Sequence, residues 1–136
     1  MVDASAWVLA LLDSGAPGLT AKEEMIRDPH WTAPAHALLE VIRTIRRYRR
    51  QELVSSSTEE AAVQAVIEAE VEYWGAEDWL LQASWDLRHN LSIYDAPYVA
   101  IALRLRAPLV TGDLRLAAAA SAAGARVVPV TSSDEA

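Results

Sequence analysis

Four acidic side chains, far apart in the sequence, stand where they could act together. Asp3 ends a short predicted strand, and Asp113 lies two residues beyond the predicted strand 109–111. Asp95 falls in the first turn of a predicted helix, and Glu40 falls in the second turn of another. In an open parallel sheet, ligands bind beyond the carboxyl ends of the strands. The positions therefore predict that four carboxylates converge on one edge of a sheet.

Carboxylates without thiols suit a hard divalent cation. The chain has no cysteine, and its histidines show no ligand spacing, so we expect them to be structural or exposed: His30, His36 and His89. Mg²⁺ and Mn²⁺ prefer oxygen ligands and keep bound waters, so two or three carboxylates suffice. On a phosphodiester, one or two such metals can activate water and stabilise an in-line displacement. Ser5 and Thr111, each two residues from an Asp, could hydrogen-bond the ligands or a metal-bound water.

Each acidic residue also has an ordinary structural interpretation. Asp3 could simply start a helix, a helix dipole favours Asp95 regardless of function, and Asp113 stands at an expected N-cap. Glu40 lies opposite the apolar stripe of its helix with Arg43 three residues on, as a solvated ion-paired residue would. The functional interpretation depends on the joint placement of the four acids, and so on the predicted strands.

Short predicted strands alternate with helices along the chain. Helices are predicted over 5–12, 19–27, 36–50, 57–70, 78–88, 93–106 and 114–123, and strands over 1–4, 31–33, 71–74, 108–111 and 126–130. Ser5 would cap the first helix, and Ser57 with Glu60 has the spacing of a capping box. Strands separated by helices imply crossovers, so the order predicts an α/β sandwich with a parallel sheet. A length of 136 residues without a linker predicts one domain, 1–136.

The net charge of −7 is unevenly distributed. Residues 52–86 hold nine acidic and no basic residues, which leaves 10 acidic and 12 basic residues elsewhere. Arg43, Arg47 and Arg50 share the polar side of one predicted helix, either as a solvated face or as a ridge contacting phosphates. Local charge governs binding to a polyanion, so an RNA partner is not excluded. No apolar run reaches the length of a membrane span, and no basic flank precedes the first apolar stretch, so a cytoplasmic protein is expected.

Several motifs resemble those of PIN-domain ribonucleases, above all the VapC-type toxins of prokaryotic toxin–antitoxin pairs. The resemblance rests on the stretches 93–102 and 107–116, with Tyr94-Asp95 and Thr111-Gly112-Asp113, on the opening 2–6, and on Pro34 followed by 39–41 and 45–47. The motifs occur in the family's order and cover nearly the whole chain. Three departures are a short first strand, Pro97 where Leu is common, and Gly112 in place of a frequent Ala.

The resemblance implies a PIN-like three-layer sandwich, with a central parallel sheet of four to five short strands flanked by helices. It also implies Mg²⁺- or Mn²⁺-dependent cleavage of structured RNA such as tRNA or rRNA, a homodimer, and neutralisation by a cognate VapB-type antitoxin. By position, the family's acidic quartet and supporting hydroxyls correspond to Asp3, Glu40, Asp95, Asp113, Thr111 and, less closely, Ser5.

Two functions of different classes follow from these observations. In the first, the protein is a metal-dependent endoribonuclease in which Asp3, Asp95 and Asp113 hold the cation while Glu40 ligates it or orients its water. In the second, it is a non-catalytic PIN-like module that binds RNA or an antitoxin. A phosphoacceptor receiver domain would need paired acids after the first strand and a lysine after the last, and Lys22 is the only lysine.

Overall fold

The computed structural model describes residues 1–130, in which short strands lie between helices. The helices are α1 (Ala4–Leu12), α2 (Ala16–Arg27), α3 (Ala37–Arg50), α4 (Ser56–Glu68), α5 (Asp78–Asp86), α6 (Ala96–Leu105) and α7 (Leu114–Ala122). The strands are β1 (Trp31–Pro34), β2 (Val71–Trp74), β3 (Leu109–Thr111) and β4 (Val127–Pro129). No helix in this part of the chain is both long and apolar enough to cross a bilayer.

All strand pairs are parallel, which confirms the predicted α/β class. β1 pairs with β2, and β3 pairs with β4. The predicted first strand is reduced to a single parallel bridge between Val2 and Val110. Hydrogen bonds within residues 1–130 therefore form two strand pairs, with Val2 beside β3, where the sequence predicted one sheet of four to five strands. Strands of three or four residues make few ladder bonds, and the crossover helices hold the layer together.

Two hydrophobic cores lie on opposite sides of the strands. Neighbouring residues of β3 face different cores: Leu109 packs with α5, α6 and α7, whereas Val110 packs with helices α1 to α4. This follows from the alternation of side chains along a strand. Helices therefore cover both faces, giving the three layers that the family resemblance implied.

Two predicted helix caps are wrong. Asp3, not Ser5, caps α1: its Oδ1 accepts a hydrogen bond from Ala6 N at 2.9 Å. Ser55, not Ser57, caps α4, and its Oγ accepts from Thr58 N at 3.1 Å. Three consecutive serines all suit an N-cap, so local sequence does not determine which of them begins the helix.

Two helices begin later than predicted, which changes the position of one acidic residue in each. Helix α6 begins at Ala96, so Asp95 is its N-cap residue and not part of the first turn. Pro97 then occupies the first turn, where its missing N–H costs no helix hydrogen bond. Helix α3 begins at Ala37, which places Glu40 in the first turn and not the second. Both carboxylates therefore lie at helix N-termini.

Candidate functional site

The Asp3 carboxylate is buried and held by three donors. The side chain is only 4% exposed. Its Oδ1 accepts from Ser5 Oγ at 2.7 Å and from Ala6 N at 2.9 Å, and its Oδ2 accepts from Thr111 Oγ1 at 2.6 Å. The backbone N–H of Asp3 donates to Val110 O at 3.1 Å, which fixes the chain start against β3. Donors from both ends of the sequence therefore set the orientation of this carboxylate.

The environment of Asp3 disfavours its charge. Burial raises the pKa of the Asp3 carboxyl, and its three hydrogen bonds oppose part of that rise. The nearby charge of Asp113 raises the pKa of Asp3 further. A like charge acting on a buried carboxylate is the electrostatic strain that a bound cation would relieve.

The hydroxyls of Ser5 and Thr111 also bind the loop that follows β3. Ser5 Oγ accepts a hydrogen bond from Gly112 N at 2.9 Å, and Thr111 Oγ1 accepts from Asp113 N at 3.0 Å. The two hydroxyl oxygens lie 3.3 Å apart. Each hydroxyl thus donates to Asp3 while it accepts from the loop, so together they join the segment before α1 to the segment before α7.

Asp95 and Asp113 are the N-cap residues of α6 and α7, and they line one cavity of about 260 Å³. Asp113 is exposed, and its Oδ1 accepts from Arg115 N at 2.9 Å and from Leu116 N at 3.2 Å. The Asp95 side chain makes no such capping bond among the described residues. The structure therefore brings these two predicted site residues to the same cavity.

Glu40 contacts a histidine whose role the sequence interpretation missed. His36 Nε2 lies 3.2 Å from Glu40 Oε1 and donates to Tyr94 O at 3.0 Å. The contact with Glu40 lacks hydrogen-bond geometry, so Glu40 Oε1 is buried without a hydrogen-bond partner within residues 1–130. The His36 ring packs edge to face with Tyr94 and Tyr98, each at 5.8 Å. Only the four-residue spacing between His36 and Glu40 could have indicated this contact.

The charges of Asp3 and Asp95 act on the Glu40 carboxyl. Burial raises the pKa of Glu40, His36 and Arg43 oppose the rise, and Asp95 and Asp3 add to it. Burial also raises the pKa of Tyr98, and the charges of these same three acids raise it further. Three of the four predicted acids therefore lie near Tyr98.

The acids fit a hard cation in ligand type and charge, although their side chains are not arranged around one. Within residues 1–130, no three His, Asp or Glu side chains are grouped as metal ligands. Oxygens of Asp3 and Asp113 instead accept hydrogen bonds from their own helix N-termini. Glu40 Oε1 and the Tyr98 hydroxyl are buried without partners in the same part of the chain. A divalent cation would bind oxygen ligands of this kind and would neutralise the repulsion between the acids. It would also give the unpaired buried oxygens a partner.

The predicted arginine ridge is divided between two cavities. Arg43 and Arg47 line a cavity of about 480 Å³ together with Glu40. Arg50 lines a different cavity, with Arg46 among its neighbours. Ten residues of helix separate Glu40 from Arg50, a distance of roughly 15 Å along the axis. Two of the three predicted phosphate contacts, Arg43 and Arg47, therefore share a cavity with Glu40, and Arg50 does not.

Comparisons with known proteins agree with this architecture. Residues 1–122 match the model of the PIN domain family. Ribonuclease VapC1 of Mycobacterium tuberculosis is 36% identical over 119 residues, which cover 88% of this chain and 89% of VapC1. VapC ribonuclease Mb0985 of Mycobacterium bovis is 34% identical over 116 residues, covering 85% and 87% of the two chains. The crystal structure of Mycobacterium tuberculosis VapC20, described as a toxin that cleaves the sarcin–ricin loop, has a TM-score of 0.66 at 23% identity and covers 94% of this chain and 97% of its own. This chain therefore belongs to the PIN-domain family and, within it, to the VapC group.

Proposed function

We propose that this protein is a Mg²⁺- or Mn²⁺-dependent endoribonuclease toxin that cleaves phosphodiester bonds of structured cellular RNA, such as tRNA or rRNA. The observation that carries the proposal is the meeting of acids from distant segments: the charge of Asp113 raises the pKa of Asp3, and the charges of Asp95 and Asp3 raise the pKa of Glu40. VapC1 and Mb0985, which are both more than 30% identical to this chain, are ribonucleases by name, which supports an activity on RNA.

Three acids would hold the cation in this proposal: Asp3, Asp95 and Asp113. A bound divalent cation supplies compensation for phosphate charge and a water of lowered pKa. Ser5 and Thr111 keep the Asp3 carboxylate in one orientation by donating to both of its oxygens. Such donors around a ligand fix its direction and so the geometry of the site.

Glu40 is suited to receive the proton that an attacking water must lose. The residue lines the cavity that also holds Arg43 and Arg47, and its Oε1 has no hydrogen-bond partner in the part of the chain that the structure describes. Its pKa is raised above the ordinary value, and a carboxylate with a higher pKa is a stronger general base. His36 and Arg43 limit the rise in pKa and keep the ionised form accessible.

Two arginines are placed to receive the RNA backbone. Arg43 and Arg47 are exposed and line the same cavity as Glu40. Guanidinium groups pair with phosphate oxygens and contribute affinity without sequence preference. We therefore propose that the strand enters along the polar face of α3, past these two side chains.

The decisive experiment compares RNA cleavage by the parent and by Asp95→Asn. Total cellular RNA is incubated in Mg²⁺, in Mn²⁺ and in chelator, and new 5′ ends are mapped. Because the Asp95 side chain caps no helix among the described residues, Asn should leave the fold intact and abolish cleavage. Asp78→Asn, an exposed first-turn aspartate on α5, is the matched control and should cleave normally. Undiminished cleavage by folded Asp95→Asn, or cleavage in chelator, would contradict the proposal.

The second candidate is a non-catalytic PIN-like module that binds RNA or an antitoxin. It is favoured by one observation, the lack of three acidic side chains grouped as metal ligands within residues 1–130. It predicts RNA binding that weakens with salt and no products at any concentration of Mg²⁺ or Mn²⁺. The cleavage map above distinguishes the two functions directly.

We further propose a single domain over 1–136, a homodimer, a cytoplasmic location and neutralisation by a cognate VapB-type antitoxin. The single domain is proposed from the chain length, and the dimer and the antitoxin are proposed from membership of the VapC group. Light scattering of the purified chain tests the dimer. Copurification with the product of an adjoining small reading frame, together with loss of RNA cleavage in the complex, tests the antitoxin.

A further inference from the structure

A second basic cavity lies at the C-terminal end of α3, apart from the carboxylates. It has a volume of about 410 Å³. Three arginines of α3 and three residues at or near the start of α4 line it: Arg46, Arg49, Arg50, Glu52, Ser56 and Glu59. The arginines are three and four residues apart, so they are neighbours on the helix surface, where like charges repel each other. The cavity therefore concentrates positive charge on a chain whose net charge is −7.

Within residues 1–130, only one of these three arginines is paired with a carboxylate. Arg46 Nη1 lies 2.7 Å from Glu59 Oε2, and the two side chains form an ion pair. The other ion pairs in this part of the chain involve neither Arg49 nor Arg50, although Glu52 lines the same cavity. Arg49 is half-buried, so its charge is partly withdrawn from water. Two guanidinium groups in the cavity therefore lack a carboxylate that balances them.

The helix dipoles add to the positive character of the cavity. Arg49 and Arg50 lie in the last turn of α3, where the dipole favours basic side chains. That preference explains why the two residues are tolerated, but it does not require them to share a cavity with Arg46. Ser56 is the first residue of α4, and the N–H groups at a helix start favour an anion. The end of one helix and the start of the next thus bring together donors that suit a phosphate.

The second cavity continues the basic side of α3 away from Glu40. Arg47 lines the cavity that contains Glu40, and Arg46, next to it in the sequence, lines the second cavity. The nine residues from Glu40 to Arg49 correspond to roughly 14 Å along the helix axis. A stacked nucleic-acid strand advances roughly 3.4 Å per nucleotide. A strand whose reacting phosphate lies at Glu40 would therefore reach the second cavity about four nucleotides further on.

We propose that the cavity formed by Arg46, Arg49 and Arg50 binds a backbone phosphate of the RNA substrate, about four nucleotides from the phosphate that is cleaved. The inference rests on the proposed function and extends it, because it requires a substrate long enough to span both cavities. Guanidinium groups hold phosphate oxygens through paired N–H donors, and phosphate contacts carry no base preference. The second cavity would thus add affinity and fix the direction of the strand without selecting its sequence.

The test measures RNA affinity in chelator, so that binding is separated from cleavage. Fluorescence anisotropy follows a labelled single-stranded RNA of about sixteen nucleotides at several salt concentrations. The double variant Arg49→Gln, Arg50→Gln removes the two unpaired charges. Each phosphate contact on a single strand contributes about 0.7 to the slope of log affinity against log salt, so the slope should become shallower by about 1.4. At about 0.1 M salt, the affinity should fall about twentyfold.

A matched control separates the local effect from the change in net charge. Arg104 and Arg126 are exposed and line neither basic cavity, so the double variant Arg104→Gln, Arg126→Gln removes the same charge elsewhere and should bind like the parent. As the strand grows from about four to about eight nucleotides, the parent should gain about tenfold in affinity and the Arg49, Arg50 variant should not. If Arg49→Gln lowers the urea midpoint, Arg50→Gln alone should still show half of the change in slope.

Other outcomes would overturn the inference. These are no RNA binding by the parent, equal slopes for the parent and the Arg49, Arg50 variant, or an equal loss in the control variant. A polyglutamate peptide that binds the parent more tightly than an RNA of equal charge, and loses that affinity in the variant, would assign the cavity to an acidic protein segment instead.

Cleavage assays in Mg²⁺ and Mn²⁺ judge the proposed nuclease separately. RNA binding that depends on Arg49 and Arg50, without any cleavage, would refute the nuclease and leave the second phosphate site supported. Cleavage of a long strand with an unchanged KM in the Arg49, Arg50 variant would do the reverse, because a contact that only binds the strand acts on KM.

Discussion

The hydroxyl of Thr111 stabilises the buried charge of Asp3, so Thr111→Val should destabilise the fold. Thr111 is fully buried, donates to Asp3 Oδ2 at 2.6 Å and accepts from Asp113 N at 3.0 Å. A hydrogen bond to a charged group contributes about 1.5–3 kcal/mol and a neutral one about 1 kcal/mol. Valine has nearly the same shape, so little cavity forms, and the methyl group that it adds is buried favourably. We expect a net loss of about 2–3 kcal/mol in the free energy of unfolding.

Urea unfolding at pH 7 in chelator measures this loss, and a double-mutant cycle assigns it. With slopes of about 1–3 kcal/mol/M for small proteins, the midpoint should fall by about 1 M. In an Asp3→Asn background the hydrogen bond becomes neutral, and the same substitution should cost only about 1 kcal/mol. Thr111→Ser keeps the hydroxyl and is the control, because it loses only a methyl group.

The pH dependence of the cost of Thr111→Val tests independently whether the Thr111 hydrogen bond favours the ionised form of Asp3. The Thr111 hydrogen bond lowers the pKa of Asp3, against the larger rise caused by burial. It therefore favours the ionised form, and the cost of Thr111→Val should be greatest above the folded-state pKa of Asp3. That cost should shrink as the pH falls through this pKa. The reasoning is refuted if Thr111→Val costs the same in both backgrounds, or if its cost grows on acidification.

Three further predictions concern the fold and its charges. Gly18→Ala should lose about 1–3 kcal/mol in urea unfolding, because a Cβ there would overlap the Asp13 carbonyl oxygen; Gly75→Ala, with nothing within 4 Å, should be nearly neutral. Asp113→Ala removes both capping bonds of α7 and should lower the free energy of unfolding by about 0.5–2 kcal/mol, whereas Asp113→Ser should recover most of it. Folding raises the pKa of Asp3 above 3.8 and that of Glu40 above 4.5, so between the unfolded-state and folded-state pKa values the folded state binds more protons. The free energy of unfolding should therefore fall as the pH rises through this range. Urea midpoints across that range in chelator should show this slope in the parent and a flatter one in the double variant Asp3→Asn, Glu40→Gln; an unchanged slope would contradict the assignment.

The sequence predicted the strands and helices well and the sheet only in part. Strands β1 to β4 all lie within two residues of their predicted ends, because short apolar runs between turn residues mark them clearly. Their pairing depends on contacts between distant segments, such as the single bridge from Val2 to Val110. The hydrophobic periodicity of the sequence carries no information on such contacts, so it could not predict the division into two strand pairs.

The distinction between local sequence patterns and contacts of distant segments also applies to the site. The positions of the four acids followed from strand ends and helix starts, which are local properties. The unpaired oxygens of Glu40, Tyr98 and Ser84 became visible only once each atom's neighbours were known. Arg43 and Arg50 lie on the polar side of one helix, but seven residues of helical rise, roughly 10 Å, separate them, and they line different cavities.

The structural and functional interpretations of Asp3 and Asp113 are not alternatives. Each carboxylate caps a helix through Oδ1: Asp3 accepts from Ala6 N, and Asp113 accepts from Arg115 N. Hydrogen bonds from a helix N-terminus stabilise a negative charge, which is why an acid with a raised pKa can be retained at Asp3. Asparagine caps a helix as well as aspartate does, whereas alanine leaves the helix N–H groups unpaired. Substitution by Asn therefore removes the charge and keeps the helix cap, so a loss of activity in Asp3→Asn reports on the carboxylate. The same loss in Asp3→Ala would combine the missing charge with a damaged helix start.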